Sequence, residues 1–182
     1  MLDHKNPWKT LSGKEVYDNP WVKVTEYQVI KPCGGEGIYG KVAFKNLAIG
    51  ILPVDDEGNT WLVGQYRYTL DEYSWEIPMG GVPHSEDSEE GALRELREET
   101  GLRAGKLEVL CRIHTSNSVT DEEGFVYLAT DLTQGETDFD DTEDLAIKKL
   151  PFKEALEMVM NGRITDSLTV GGILKYARIY GI

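Results

Sequence analysis

Hydrophobic positions along this chain change period several times, and each change marks an element. Residues 22–30 (VKVTEYQVI) alternate partly and are rich in β-branched side chains, which predicts a strand. Gly34, Gly35 and Gly37 predict a turn, and Tyr39 to Phe44 a returning strand. LAIGILPV (47–54) is a continuous apolar run with the length of a buried strand. DDEGN (55–59) is a strong turn signal ahead of TWLVGQYRY (60–68), so a hairpin is expected there. WEIPMGG (75–81) stays extended as far as its glycines.

The period then lengthens to that of a helix. Asp87 is placed to be an N-cap, with Glu90 three residues on to complete a capping box, and SEEGALRELREET follows. Gly101 stands where a left-handed C-terminal cap is expected. Ala92, Leu93, Leu96 and Thr100 share the face expected to pack on a sheet. Strands are predicted at 107–113 and 124–130. An acidic stretch, ETDFDDTED (136–144), leads to LAIKKL (145–150). Pro151 opens a helix through FKEALEMVMNG, and Asp166 caps a last amphipathic helix, SLTVGGILKYARI. Strands, helix, strands and two helices predict an α+β fold, an α/β/α sandwich around a mixed β-sheet. Residues 1–45 form an N-terminal strand arm with little apolar content, which needs a surface to lie on. Residues 46–182 carry the main domain.

Composition narrows the class. A chain of 182 residues is comfortable for one domain and tight for two. With 40% hydrophobic and 28% charged residues it is globular, and no apolar run is long enough to span a membrane. The N-terminus is polar with an early acid, unlike a signal peptide. Cys33 and Cys111 lack metal-ligand spacing and fit a reducing compartment, so a cytoplasmic location is expected. A net charge of −13 repels nucleic acid and anionic membranes. It also repels an anionic small substrate, unless cations bind first.

Candidate chemistry lies on the first helix. At 3.6 residues per turn Glu95, Glu98 and Glu99 fall on one face, and Arg94 lies four residues from both Glu90 and Glu98. Carboxylates so close repel one another, and a cation relieves the repulsion. Oxygen ligands without Cys or His select hard ions, Mg²⁺ or Mn²⁺. An ordinary Glu-rich helix face is merely solvated. Here the flanking glycines argue otherwise, because a generic solvated helix needs neither Gly80 nor Gly101.

Residues 80–102, GGVPHSEDSEEGALRELREETGL, fit G-x(5)-E-x(7)-R-E-U-x-E-E-x-G-U, where U is a bulky aliphatic. The fixed positions are Gly80, Glu86, Arg94, Glu95, Leu96, Glu98, Glu99, Gly101 and Leu102. The segment resembles the Nudix box. QYRYTLDEYSWEIPMGG (65–81) further resembles the ADP-ribose and nucleotide-sugar (GDP-mannose-type) pyrophosphatase branch of that superfamily. The likeness continues over roughly residues 20–180, with specificity falling outside the box.

The resemblance implies Mg²⁺-dependent hydrolysis of the diphosphate bond of a nucleoside diphosphate sugar, giving a nucleoside monophosphate and a sugar phosphate. It implies Glu95 and Glu99 as principal metal ligands, with Glu98 as an additional ligand or one acting through water. The backbone carbonyl of Met79 is an expected further ligand. Arg94 is expected to orient the glutamates, and Glu86 to hold local structure or assist a second metal. Arg67 is expected at substrate phosphate or the terminal ribose, or in a salt bridge. Glu76 is expected near substrate, or as the structural partner of Arg67. Glu143 is the expected water-activating base, with Asp141 as its rival and Glu122 and Glu123 as weaker candidates. Trp21 and Tyr27 of the arm are candidates to stack on the nucleobase, and the arm implies a homodimer.

His84 reads as a solvent-facing loop residue, and Trp61 and Trp75 as core or pocket wall. Two other readings stay in view. One is a nucleotide-sugar-binding module without catalysis, although such modules usually lose box glutamates and this chain keeps all of them. The other is a different Nudix pyrophosphatase acting on nucleoside triphosphates or dinucleoside polyphosphates, against which QYRY and WEIPMGG weigh.

Overall fold

A computed structural model describes residues 5–136 and 145–182. The chain divides into two compact units, residues 1–46 with 116–122, and residues 47–115 with 123–182. In the first unit β1 (Lys9–Asp18), β2 (Val22–Ile30) and β3 (Glu36–Phe44) form an antiparallel sheet in the order β1-β2-β3. β1 was not expected from the sequence. KTLSGKEVYD offers only Leu11, Val16 and Tyr17 as large apolar side chains, and all of its residues are exposed. Backbone pairing with β2, in a register broken at two irregularities, is what makes it a strand. The 116–122 loop is tied to β3: Val42 N–H donates to the Val119 carbonyl at 2.9 Å, and Lys41 meets Asp121 at 2.6 Å.

The second unit contains β4 (Asn46–Pro53), β5 (Asn59–Arg67), β6 (Glu72–Glu76), β7 (Met79–Pro83), α1 (Ser88–Thr100), β8 (Leu102–His114), β9 (Glu123–Gln134), β10 (Ala146–Pro151), α2 (Phe152–Met160) and α3 (Ser167–Tyr180). One sheet runs β7-β4-β9-β8 and is mixed, because β4 pairs with β9 in parallel while β8 pairs with β9 antiparallel. The other runs β10-β5-β6 and is antiparallel. Residues of β4 alternate between two cores. Ile49 and Ile51 join Val82, Ala92 and Leu96 on the α1 side. Leu52 joins Leu168, Ile173 and Ala177 of α3 on the other. This is the expected α/β/α arrangement with a mixed sheet.

Three local expectations are corrected. The hairpin expected from the DDEGN turn does not form, because β4 and β5 enter different sheets and keep only the single bridge Val54–Thr60. WEIPMGG is extended but breaks at Ile77–Pro78, where the chain leaves one sheet for the other. Leu93, expected to face the sheet, is 40% exposed, whereas Ala92, Leu96 and Thr100 are buried. The apolar stripe of α1 is thus narrower than helical spacing suggested, and Gly91 lies within it, with Val82 packed into the space a side chain there would fill.

Candidate active site

Helix α1 starts where its sequence says it should. The Asp87 carboxylate accepts the backbone N–H groups of Glu89 and Glu90 at 2.8 and 3.2 Å, satisfying two donors that a helix start leaves unpaired. Gly101 ends it at φ 72°, a left-handed conformation that a side chain would strain. The caps fix where the helix begins and ends, and the burial of Ala92, Leu96 and Thr100 fixes its rotation, which decides where its glutamates point.

Two of them meet the start of β7. Glu99 is only 1% exposed, and its Oε2 accepts the Met79 N–H at 2.9 Å. One turn earlier, the Glu95 carboxylate occupies the space in which a β-carbon on residue 80 would lie, so a side chain there would push that carboxylate aside. The start of β7 therefore has two carboxylates against it, Glu99 at the Met79 N–H and Glu95 at the α-carbon of Gly80. Burying an anion is costly unless it is compensated, so a buried Glu99 is not the solvated face of an ordinary acidic helix. Glu98 is set apart, facing Arg94 at 3.9 Å and Arg97 at 3.3 Å.

Arg94 binds this group together. It pairs with Glu86 and lies 3.2 Å from Glu95. Partial burial works against its charge, but the carboxylates of Glu86 and Glu95 outweigh that and hold its pKa above the usual guanidinium value. It is therefore a fixed cation in the middle of the box. Glu86, twelve residues before Glu98, is brought in by the loop ahead of the helix.

A second cluster lies at the end of β5 and β6. Arg67 donates from Nε to Glu76 Oε1 at 3.0 Å and from Nη2 to Oε2, a two-point contact with a carboxylate that is almost fully buried. The Glu76 bond raises the Arg67 pKa most, burial opposes it, and the charges of Asp166 and Glu99 add to the rise. Arg67 thus feels both the α3 cap and the α1 carboxylate. Arg67, Glu76, Ser74, Thr165 and Asp166 line a cleft of about 280 Å³. Sequence reasoning missed Thr165 and Asp166 as wall residues. Asp166 was legible only as a helix cap.

In the N-terminal unit Tyr27 lines an open pocket of about 320 Å³ with Trp8, Tyr39, Lys41 and residues Asn117 to Thr120. Trp8 and Tyr39 meet edge to face at 5.3 Å. Trp21, the other aromatic candidate, is 67% exposed and is not among the residues lining that pocket. Trp8 and Tyr39 were not singled out from the sequence, since no motif marks them. His84 is exposed. Trp61 is core, with the Lys149 ammonium 4.7 Å above its ring, and Trp75 packs edge-on against Tyr73. Glu123 pairs with Arg112 on the β8–β9 ladder, and Glu122 lies in the loop before it. Glu143 and Asp141 lie outside the described residues.

The donor set suits a hard divalent cation. The Glu95 and Glu99 carboxylates offer anionic oxygen at the start of β7, beside Gly80 and the Met79 N–H. Among the described residues no three acidic, His or Cys side chains close on a single point, so the geometry supplies two carboxylates there rather than a complete cage. No helix among the described residues is long and apolar enough to cross a membrane.

Comparison with known proteins gives the family. The NUDIX domain model matches residues 44–166, and a model described as the nucleoside diphosphate sugar hydrolase N-terminal domain matches residues 8–42. An ADP-ribose pyrophosphatase of Mycobacterium tuberculosis is 33% identical over 177 residues, covering 96% of this chain and 84% of that protein. An ADP-ribose pyrophosphatase of Bacillus subtilis is 29% identical over 167 residues, covering 91% and 90%. A crystal structure of an ADP compounds hydrolase superposes with a TM-score of 0.86 at 19% identity, covering 98% of this chain and 97% of that one, a likeness of fold.

Proposed function

The chain belongs to the Nudix hydrolase family, and from that premise we propose that it hydrolyses the diphosphate bond of a nucleoside diphosphate sugar of the ADP-ribose or GDP-mannose type. One water is consumed, one bridging P–O bond breaks, and a nucleoside monophosphate and a sugar phosphate are released. The observation that carries the reading is the pair Glu95 and Glu99 set against the start of β7, at the α-carbon of Gly80 and the Met79 N–H. The N-terminal match to nucleoside diphosphate sugar hydrolases and the ADP-ribose pyrophosphatases among the relatives support the substrate class.

Glu95, Glu99 and the Met79 carbonyl would hold Mg²⁺, or Mn²⁺ in its place, with Glu98 beside them. When bound, that ion supplies charge neutralisation of the diphosphate and polarisation of its phosphoryl oxygens. It also resolves the conflict between an anionic substrate and a chain of net charge −13. Arg94 keeps Glu95 aimed by holding it from one side while Glu86 anchors the guanidinium from the other.

Arg67 is already neutralised by Glu76, so its open edge is suited to orient a substrate oxygen rather than to gather charge. Glu143 is the proposed general base that takes the proton of the attacking water, with Asp141 as the alternative. Their support is the family resemblance and their chemical type. Tyr27, in a pocket walled by Trp8 and Tyr39, is a better-formed place for a nucleobase than exposed Trp21.

We assign the protein as a homodimer in which a second copy covers apolar side chains of the N-terminal sheet, such as Leu11, Val16 and Ile38. A monomeric mass by light scattering would overturn that assignment. The two thiols are unpaired, in keeping with a cytoplasmic location.

The decisive experiment incubates the protein with ADP-ribose and with GDP-mannose, in Mg²⁺ and in EDTA, and assays the released monophosphate. Release in Mg²⁺ and none in EDTA is expected. Binding without release would leave a nucleotide-sugar-binding module instead, and release only from triphosphates or dinucleoside polyphosphates would place the enzyme in another branch.

A further inference from the structure

The two clusters of the site are joined by a short crossover, and α3 holds it. β6 ends at Glu76 in one sheet and β7 begins at Met79 in the other, so Ile77 and Pro78 lie between the two strands. Pro78 has no N–H, and its carbonyl accepts from Ile51 N–H at 2.8 Å. That leaves the N–H of Ile77, whose side chain is wholly buried. It donates to Thr169 Oγ1 at 3.1 Å, a contact between residues 92 positions apart.

Thr169 is itself fully buried, and its hydroxyl donates in turn to Asp166 Oδ1 at 2.7 Å. The same oxygen accepts the Thr169 backbone N–H at 2.8 Å as the cap of α3. The hydroxyl is therefore donor to one element and acceptor from the other, with its orientation fixed at both ends.

This link sits between the groups the reaction needs. Ile77 follows Glu76, which holds Arg67, and precedes Pro78 and Met79, whose N–H is held by Glu99 from the α1 side. The segment entering β7 is thus gripped from α1 by Glu99 at the Met79 N–H and, two residues earlier, from α3 by Thr169 at the Ile77 N–H. Resting on the function proposed above, we propose that Thr169 is a positioning residue for hydrolysis. In this role its hydroxyl, oriented by Asp166, sets the spacing between the Arg67–Glu76 pair and the Met79–Gly80 peptide. It touches neither substrate nor the reacting atoms. It acts through the backbone of residues 76–80.

The test compares Thr169→Val, which keeps the shape and removes the hydroxyl, with Thr169→Ser, which keeps the hydroxyl. Ile173→Val, one turn along the same buried face of α3 and without the hydroxyl link, controls for general loosening of the helix. Steady-state hydrolysis, Mn²⁺ binding by calorimetry and amide exchange at Ile77 are measured on the full chain well below its unfolding temperature.

Thr169→Val is expected to lower kcat about tenfold or more, because small misplacements of reacting groups are costly. It should weaken Mn²⁺ binding about threefold or more and unprotect the Ile77 amide. Thr169→Ser should restore all three to within about threefold of wild type, and Ile173→Val should leave them there. If the Val variant does not fold, Thr169→Ala takes its place, with an expected loss in kcat of about threefold or more. A folded variant lacking the hydroxyl, with kcat and Mn²⁺ affinity at wild-type values, overturns the proposal. A wild-type protein that hydrolyses no nucleotide sugar overturns the functional reading instead, and Mn²⁺ binding and amide exchange still decide the role of Thr169.

Discussion

The two units of this chain are held together by different means. The N-terminal unit is a sheet in which backbone pairing does most of the work. Its β1 has no buried residue, and Val29 is its one buried large hydrophobic among the described residues. The second unit has two dense cores, one on each side of the mixed sheet, with Ile49, Ile51, Leu52, Leu96 and Ile173 fully buried. In the densely packed unit the Glu99 carboxylate is kept out of water and met by the Met79 N–H, whereas in the N-terminal unit Asp121, met by Phe44 N–H and Lys41, stays partly exposed. Packing thus holds the box glutamates in place, while the N-terminal sheet offers exposed rings and strand edges suited to being covered.

The contrast can be broken or sharpened by experiment. The largest effect is expected for Glu99→Gln. The amide can still accept the Met79 N–H, so the fold should survive with an unchanged unfolding temperature. Turnover should fall about a thousandfold or more, roughly 4 kcal/mol of transition-state stabilisation. Equal turnover at saturating Mg²⁺ would remove Glu99 from the site.

Next comes packing. Leu96→Ala, in the α1 core, should destabilise the protein by about 3 kcal/mol in denaturant unfolding. Leu11→Ala, on exposed β1, should cost about 0.5 kcal/mol or less if measured at dilutions where the protein is monomeric. Comparable costs at the two positions would dissolve the distinction between the units.

Acid gives the smallest test. Burial alone would raise the Asp55 carboxyl, but Lys149 at 2.8 Å and the Asn59 amides outweigh it and bring its pKa down from 3.8 to about 2. The folded value is depressed, so the stabilisation is complete above the unfolded pKa and disappears as pH falls from about 4 through about 2. Its size is about 2 kcal/mol at most. Asp55→Asn should remove that part of the acid dependence. Asp18 of the N-terminal unit is also lowered, by its bond to Lys45, but it lies in solvent, where screening leaves the pair little to contribute. Asp18→Asn should therefore leave the acid unfolding curve unchanged, and an equal effect at both positions would count against the contrast.

Much of this was legible in the sequence. The Asp87 cap, the α1 span, the Gly101 stop and the spacing of Glu95 and Glu99 are local, set by a 3.6-residue period and by the chemistry of residues a few positions apart. The apolar runs located the inner strands for the same reason. β1 escaped because its strand character comes from a partner and not from its own pattern. The DDEGN hairpin was misread because turn chemistry fixes a reversal of the chain but not the sheet each arm joins. Leu93 was assigned inward because helical spacing gives a face but not its width.

The tertiary structure alone decided the rest. It buried Glu99 on the Met79 N–H, closed Arg67 onto Glu76, and carried Thr169 to Ile77 across 92 residues of chain. Such contacts depend on how two cores pack on a shared sheet, a property of all the side chains together. No window of sequence holds that information, whereas the caps and the helical repeat are complete within a few turns.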